Sequence, residues 1–138
     1  MKRRTLLVAL AALPLARPAL AGFDTGVNYT PGLVDDLLAE GKTVFVDFSA
    51  SWCSTCKSQA QTINAFRSAN PEYDSKVSFV SVDWDTYESD PLTLRLNIPR
   101  RSTLVVLKGD AELGRIVAGT AKDEIKALMD TALQAAVA

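Results

Sequence analysis

The 138-residue sequence contains no histidine and only two cysteines, Cys53 and Cys56. A structural zinc site takes about four ligands, most of them cysteine or histidine, so one chain cannot close such a site. Two chains that share one metal ion could still do so. The sequence also has no GxGxxG segment and no P-loop, and therefore nothing in it predicts an organic cofactor.

Acidic residues are absent from the first 21 residues, which carry four basic residues, Lys2, Arg3, Arg4 and Arg17. The apolar stretch TLLVALAALPLA follows the basic start and is too short to span a bilayer. It leads to Ala19–Ala21, whose small-x-small pattern is typical of a signal-peptide cleavage site. The alternative is that this segment forms a first helix of the fold.

We therefore predict a signal peptide over residues 1–21 and a single domain over residues 22–138. The paired arginines also fit a twin-arginine signal, so the general secretory route and the twin-arginine route both remain open. Either route leads to the periplasm or another exported space, where disulfides persist.

The rest of the chain is acidic, with 11 basic and 16 acidic residues after residue 21, a net charge of -5. This charge argues against nucleic acid as a partner, because the phosphate backbone attracts basic surfaces. No second apolar run is long enough to span a bilayer. We expect no stable membrane insertion once the signal peptide is removed.

The pattern of apolar residues predicts one α/β domain with the element order αβαβαββα. The predicted strands cover residues 43–49, 76–84, 103–107 and 113–119. The predicted helices lie between Thr30 and Gly41, from Cys53 to residue 69, over 90–97, and after Thr120. This order predicts a central mixed β-sheet flanked by helices, a three-layer αβα sandwich.

Both cysteines lie in VDFSASWCSTCK, residues 46–57, between a predicted strand and a predicted helix. The unpaired N–H groups and the positive dipole end of a helix N-terminus favour a thiolate there. We interpret Cys53 as the nucleophile and Cys56, one turn later, as the resolving thiol. Two alternatives stay open. One is a structural disulfide, although so short a loop constrains little unfolded chain; the other is a metal ion shared between two chains.

Three segments carry a resemblance to a known family: FVDFSASWCSTCK, the βα unit after it, and STLVVLKGDAELGRIVAG with the final amphipathic helix. Together they resemble the thioredoxin family over nearly all of residues 30–137, and among its members exported thiol-disulfide proteins, including the soluble domain of transmembrane thiol reductases. The resemblance implies a thioredoxin fold and a thiol-disulfide oxidoreductase. Its redox group would be a Cys53–Cys56 disulfide, without another cofactor. Its expected partners are protein disulfides and a membrane thiol electron donor, and the chain is expected to act as a monomer.

The resemblance also implies roles for three residues close to the cysteines. Asp47 matches a buried aspartate that relays protons to the resolving cysteine; the alternative is a solvent-facing aspartate on an edge strand. Trp52 is expected to pack beside the disulfide and to shape the docking surface, or else only to fill the core. Lys57 is expected to modulate the local charge.

The sequence departs from the family where a strand faces the two cysteines. Thioredoxins carry a cis-proline followed by threonine at this point, whereas here Ser102 precedes Thr103. A cis bond before a residue other than proline costs roughly 3 kcal/mol, so we predict a trans Arg101–Ser102 bond. The change affects backbone pairing with substrate. It leaves open a non-catalytic binding module or metal carrier.

Two further features bear on the direction of electron flow. Arg101 stands where the family has an apolar residue opposite the nucleophile, and we hypothesise that it stabilises the Cys53 thiolate. The alternative is that Arg101 and its neighbour Arg100 are solvated loop residues. Ser54 and Thr55, between the cysteines, include no histidine of the kind that strong oxidants use. This favours a reductase, with an oxidase or isomerase as the alternative.

Overall fold

A computed structural model describes residues 24–138 of the chain. The predicted signal peptide, residues 1–21, lies outside the described residues. Within the described range, no helix is both long enough and apolar enough to cross a membrane.

The described chain forms five strands and six helices, in the order β1α1β2α2α3β3α4α5β4β5α6. The strands are β1 (Val27–Asn28), β2 (Thr43–Ser49), β3 (Ser78–Asp83), β4 (Thr103–Lys108) and β5 (Ala111–Val117). The helices are α1 (Leu33–Ala39), α2 (Ser54–Ala69), α3 (Glu72–Lys76), α4 (Trp84–Tyr87), α5 (Pro91–Arg95) and α6 (Lys122–Val137).

All five strands form one sheet in the order β1-β3-β2-β4-β5. Strands β1, β3 and β2 run parallel, while β4 is antiparallel to β2 and β5 is antiparallel to β4. Strand β2 therefore lies in the middle of the sheet. The two cysteines follow its C-terminal end. The sheet is mixed, as predicted.

Helices cover both faces of this sheet. On one face, Val46 and Phe48 of β2 pack in a core that includes Val34 of α1 and Leu92 of α5. The opposite core contains Phe45 of β2 together with residues of α2, α3 and α6, namely Ile63, Tyr73, Ile125, Leu128, Met129 and Ala132. The predicted three-layer arrangement is confirmed.

The predicted order lacked three short elements, β1, α3 and α4. A two-residue strand and helices of one turn are too short to show a hydrophobic period, so no pattern could reveal them. The predicted strand over 76–84 is also shorter in the structure, where it covers Ser78–Asp83 and Trp84 begins α4.

Gly26 fixes the position of the segment before β1, because its backbone lies against β3. A Cβ atom at this position would stand 2.2 Å from the backbone carbonyl oxygen of Phe79. We expect Gly26→Ala to lower the free energy of unfolding by about 1–3 kcal/mol, since backbone must move to remove the overlap. Urea unfolding measures this loss.

The control for this prediction is Gly109→Ala. Gly109 has a φ of 59° and open space around it, so alanine there meets backbone strain but no overlap. We expect a loss of about 1 kcal/mol at Gly109. A Gly26→Ala protein as stable as the wild type would contradict the close packing of this segment on β3.

Candidate active site

The two cysteines lie where the chain leaves β2 and begins α2. Cys53 is the N-cap residue of α2, with extended backbone angles (φ -92°, ψ 112°), and its sulfur accepts a hydrogen bond from the Cys56 N–H at 3.2 Å. The carbonyl of Cys53 accepts the N–H of Lys57 at 3.1 Å, which starts the helical ladder. The Cys53 sulfur therefore caps the positive end of a 16-residue helix.

Both cysteines are free thiols in this structure, and both are buried. Burial raises the pKa of Cys53, but hydrogen bonds from Cys56, Ser102 and Arg101 outweigh it and lower the pKa to about 7. For Cys56, burial and its hydrogen bond to Cys53 raise the pKa. Near neutral pH these contacts therefore favour the thiolate at Cys53 over the thiolate at Cys56.

Ser102 touches both sulfurs. Its Oγ lies 3.1 Å from Cys53 Sγ and 3.0 Å from Cys56 Sγ, and the residue is fully buried. The described residues include no cis peptide bond, so the predicted trans bond between Arg101 and Ser102 is confirmed. The Ser102 φ of 64° lies in the left-handed region, which residues other than glycine rarely adopt.

Three hydrogen bonds hold the Ser102 backbone in this conformation. Its N–H donates to the Phe48 carbonyl at 2.7 Å, and its carbonyl accepts the Ala118 N–H at 2.8 Å. The same carbonyl accepts the Gln59 side-chain amide at 3.0 Å, and this amide also donates to the Gly119 carbonyl at 2.9 Å. Strand β2, helix α2 and the residue after β5 thus fix Ser102 together, and such support from the surroundings allows a strained backbone to persist.

Gln59 was not predicted from the sequence as a residue of this site. This residue is fully buried, and it follows Cys56 by three positions on the helix face that continues to Ile63. A polar residue on an otherwise apolar helix face was the available signal, since such a side chain needs a buried partner. Gln59 is not adjacent to Ser102 in sequence, so only the fold identifies that partner.

Asp47 is buried on central strand β2, so the alternative of a solvent-facing aspartate on an edge strand is wrong. Its side chain points to the same face as Phe45, the face that α2 and α6 cover. Its Oδ2 accepts the Thr25 hydroxyl at 2.8 Å, and its Oδ1 has no partner. Burial raises the pKa of Asp47 to about 7. Its hydrogen-bond partner in the structure is Thr25 rather than Cys56, and no sequence pattern pointed to Thr25.

Trp52 lies at the surface beside the cysteines, with 59% of its area exposed, so the core-filling alternative is wrong. Its indole N–H donates to Asp85 at 2.8 Å. The Arg101 guanidinium carbon lies 4.3 Å from the centre of the Trp52 ring, a cation–π contact. Trp52, Arg101 and Asp85 form one polar and aromatic surface next to Cys53, which we call the Trp52 surface.

Lys57 and Thr103 lie at the margins of the site. Lys57 is exposed in the first turn of α2. Thr103 is buried at the start of β4, and its hydroxyl donates to the Arg100 carbonyl at 2.8 Å. Over residues 24–138, no group of three or more histidine, cysteine, aspartate or glutamate residues could hold a metal ion.

Arg101 is partly buried, and its side chain lowers the pKa of Cys53. We expect Arg101→Gln to slow the alkylation of Cys53 by iodoacetamide below neutral pH by roughly two- to fivefold, the size of a partly exposed charge contact. Arg100→Gln is the matched control, because the Arg100 side chain binds the Arg101 carbonyl and no sulfur. Equal rates for Arg101→Gln and the wild type would contradict the role of Arg101.

Comparisons with known proteins agree with this geometry. Residues 28–131 match the Thioredoxin family. Thioredoxin-T of Drosophila melanogaster is 33% identical over 94 residues, which cover 68% of this chain and 56% of that protein. Thioredoxin of Alicyclobacillus acidocaldarius is 28% identical over 110 residues, which cover 80% of this chain and 95% of that protein.

The solved structure of the thioredoxin NaTrxh from Nicotiana alata is similar to this one, with a TM-score of 0.59 and 26% identity. The similarity covers 75% of this chain and 88% of that structure. The chain spans about three fifths of the length of several curated relatives that it matches, for example 62% of Thioredoxin H5 from Oryza sativa.

Proposed function

Because this chain belongs to the thioredoxin family and has the thioredoxin fold predicted from its sequence, we propose that it is an exported thiol-disulfide oxidoreductase that reduces protein disulfides. The observation that carries the proposal is the unequal pair of thiols. The pKa of Cys53 is lowered to about 7, whereas that of Cys56 is raised. One sulfur is thus ready to attack, and the other keeps its proton until the second step.

Reduction of a substrate disulfide takes two exchanges. The Cys53 thiolate attacks one substrate sulfur, a Cys53–substrate disulfide forms, and the other substrate sulfur leaves as a thiolate that takes a proton from water. Cys56 then loses its proton and attacks Cys53 Sγ. This step forms the Cys53–Cys56 disulfide and releases the second substrate thiol. Two electrons pass from the protein to the substrate, and a membrane thiol donor returns them.

Asp47 is our candidate for the group that takes the proton from Cys56. Its pKa of about 7 makes it a base that works near neutral pH, and its unpaired Oδ1 lies on the sheet face covered by the helix that carries Cys56. The hydrogen bond from Thr25 holds the other oxygen. The hydrogen bond of Asp47 joins it to Thr25 and not to a sulfur, so we propose that it acts through a proton path rather than by contact.

The Trp52 surface is our candidate docking site for the substrate. An exposed indole next to a buried thiol offers apolar area, and Arg101 adds a positive charge. We propose that this surface selects substrate segments with an acidic residue near the disulfide.

The basic and apolar start of the chain supports export. The absence of histidine between the cysteines supports the reductive direction.

Insulin reduction by dithiothreitol tests the activity. We expect the mature protein to accelerate insulin precipitation and Cys53→Ser to stay at the rate without protein. No acceleration by folded wild-type protein would favour the second candidate, a non-catalytic binding module. The observation behind that candidate is Ser102 at the position of the cis-proline.

Export is tested separately by N-terminal sequencing of the protein recovered from the periplasm of a bacterial host. A mature chain that begins at Gly22 supports the proposal. A chain that keeps residues 1–21 and stays in the cytoplasm contradicts it.

A further inference from the structure

The Ser102 hydroxyl is almost equally distant from the two reacting sulfurs, at 3.1 Å from Cys53 and 3.0 Å from Cys56. A serine hydroxyl has one proton to donate and two lone pairs with which to accept. A thiol is a weak donor, and a thiolate only accepts. When Cys53 is the thiolate, it only accepts, so the Ser102 hydroxyl donates a hydrogen bond to Cys53, as the Cys56 thiol also does.

We propose that Ser102 is a catalytic residue whose hydroxyl donates a hydrogen bond to whichever of the two sulfurs is the thiolate. In the resting dithiol this sulfur is Cys53. Once Cys53 is joined to substrate it no longer carries charge, and rotation about the Cβ–Oγ bond turns the proton to the nascent Cys56 thiolate. The inference rests on the proposed oxidoreductase function, because it assigns a role within that reaction.

The backbone around Ser102 favours serine over proline at this position. A proline here would lack the N–H that donates to the Phe48 carbonyl at 2.7 Å, and it would carry no donor toward the sulfurs. The left-handed φ of 64° is kept by that bond and by the Gln59 and Ala118 bonds to the Ser102 carbonyl. A strained backbone conformation that three hydrogen bonds maintain, at a residue whose hydroxyl contacts both sulfurs, is typical of a functional residue.

The effect of Ser102 on Cys53 must be separated from that of the ionisable groups on the neighbouring elements. Cys56 faces it from α2, and Arg101 faces it from the segment before β4. Lys57 is exposed on the next residue of α2 after Cys56, and Asp47 is buried on β2. None of these groups is changed by a substitution at Ser102. A shift in the titration of Cys53 after such a substitution therefore reports on the hydroxyl or on local strain.

Two substitutions separate these two causes. Ser102→Ala removes the hydroxyl and keeps a side chain at a positive φ, whereas Ser102→Gly removes the hydroxyl and relieves the strain. The rate of Cys53 alkylation by iodoacetamide is followed against pH, with mass spectrometry of the peptide that contains Cys53. A hydrogen bond to a charged sulfur contributes on the order of 1.5 kcal/mol, or about tenfold. We expect both variants to react about tenfold more slowly near pH 6 and to approach the wild-type rate near pH 9.

The second readout is the lifetime of the Cys53–substrate disulfide in a single turnover, measured by acid quenching. We expect this lifetime to lengthen about tenfold in Ser102→Gly, because the Cys56 thiolate loses the same donor. Thr93→Val is the matched control, since it also removes one buried hydroxyl, which binds the Tyr87 carbonyl. Both readouts should stay at wild-type values in Thr93→Val.

A Ser102→Gly protein with the wild-type pH profile would overturn the proposal, and so would a shift in Ser102→Ala that is absent from Ser102→Gly. If the Ser102→Ala protein does not fold, the pH profile of Ser102→Gly alone tests the proposal. The alkylation profile needs no turnover, so it separates this inference from the proposed function. An inactive wild-type protein with the expected shift refutes the function alone, whereas an active protein without the shift refutes the role of Ser102 alone.

Discussion

Replacing Cys56 with serine is expected to turn a short-lived mixed disulfide into a stable one. Cys53 keeps its position as the N-cap of α2, so it still forms a thiolate and attacks substrate. Serine at position 56 has no thiol with which to attack the Cys53–substrate bond, and release then depends on an external thiol. We expect insulin reduction to fall to the background rate, a loss of about a hundredfold or more.

Gel electrophoresis without reductant measures the trapped species after Cys56→Ser is mixed with oxidised insulin. We expect a covalent adduct of one protein with one insulin molecule, joined by a disulfide that dithiothreitol cleaves. Cys53→Ser is the matched control, and it should form no adduct because Cys56 has a raised pKa and stays a thiol. Equal adducts from the two variants would contradict the assignment of Cys53 as the nucleophile.

Replacing Asp47 with asparagine is expected to stabilise the protein at alkaline pH. Burial raises the pKa of Asp47 from 3.8 to about 7, so the folded state holds a proton that the unfolded state has lost between these values. Stability therefore falls as pH rises from about 4 to about 7 and stays low above that. The shift of about three pH units corresponds to about 4 kcal/mol.

Urea unfolding at pH 4 and pH 8.5 measures this effect. We expect Asp47→Asn to exceed the wild type by up to about 4 kcal/mol at pH 8.5 and to differ little at pH 4, where both side chains are neutral. Asp110→Asn, at an exposed turn, is the matched control and should change neither value. A wild-type protein whose stability does not fall between these pH values would contradict a buried, proton-binding Asp47.

The part of the site that the sequence could predict is the part with local signals. A β-branched and aromatic run followed by Cys53 indicated both a strand and a cysteine at a helix N-terminus. The same run placed Asp47 among apolar residues, and the structure buries it. These features depend on residues that are neighbours in the sequence, and so the amino-acid sequence alone predicts them.

The rest of the site depends on contacts between distant segments. Ser102 meets Cys56 across 46 positions, and Thr25 meets Asp47 across 22. The family resemblance placed Ser102 opposite the cysteines, but its left-handed backbone follows from hydrogen bonds with Phe48, Gln59 and Ala118. Gln59 and Thr25 were missed for the same reason. A polar side chain shows that a partner is needed, and the fold alone shows which one.

The reduction potential of the Cys53–Cys56 pair tests the central claim most directly. The pair is equilibrated with glutathione and dithiothreitol buffers at neutral pH, and the fraction of disulfide is followed by alkylation and mass spectrometry. We predict a single two-electron transition near or below about -230 mV, in the range of thioredoxins and glutaredoxins. A value near the -120 mV of strong periplasmic oxidants, or no Cys53–Cys56 disulfide at any ratio, would contradict a reductase.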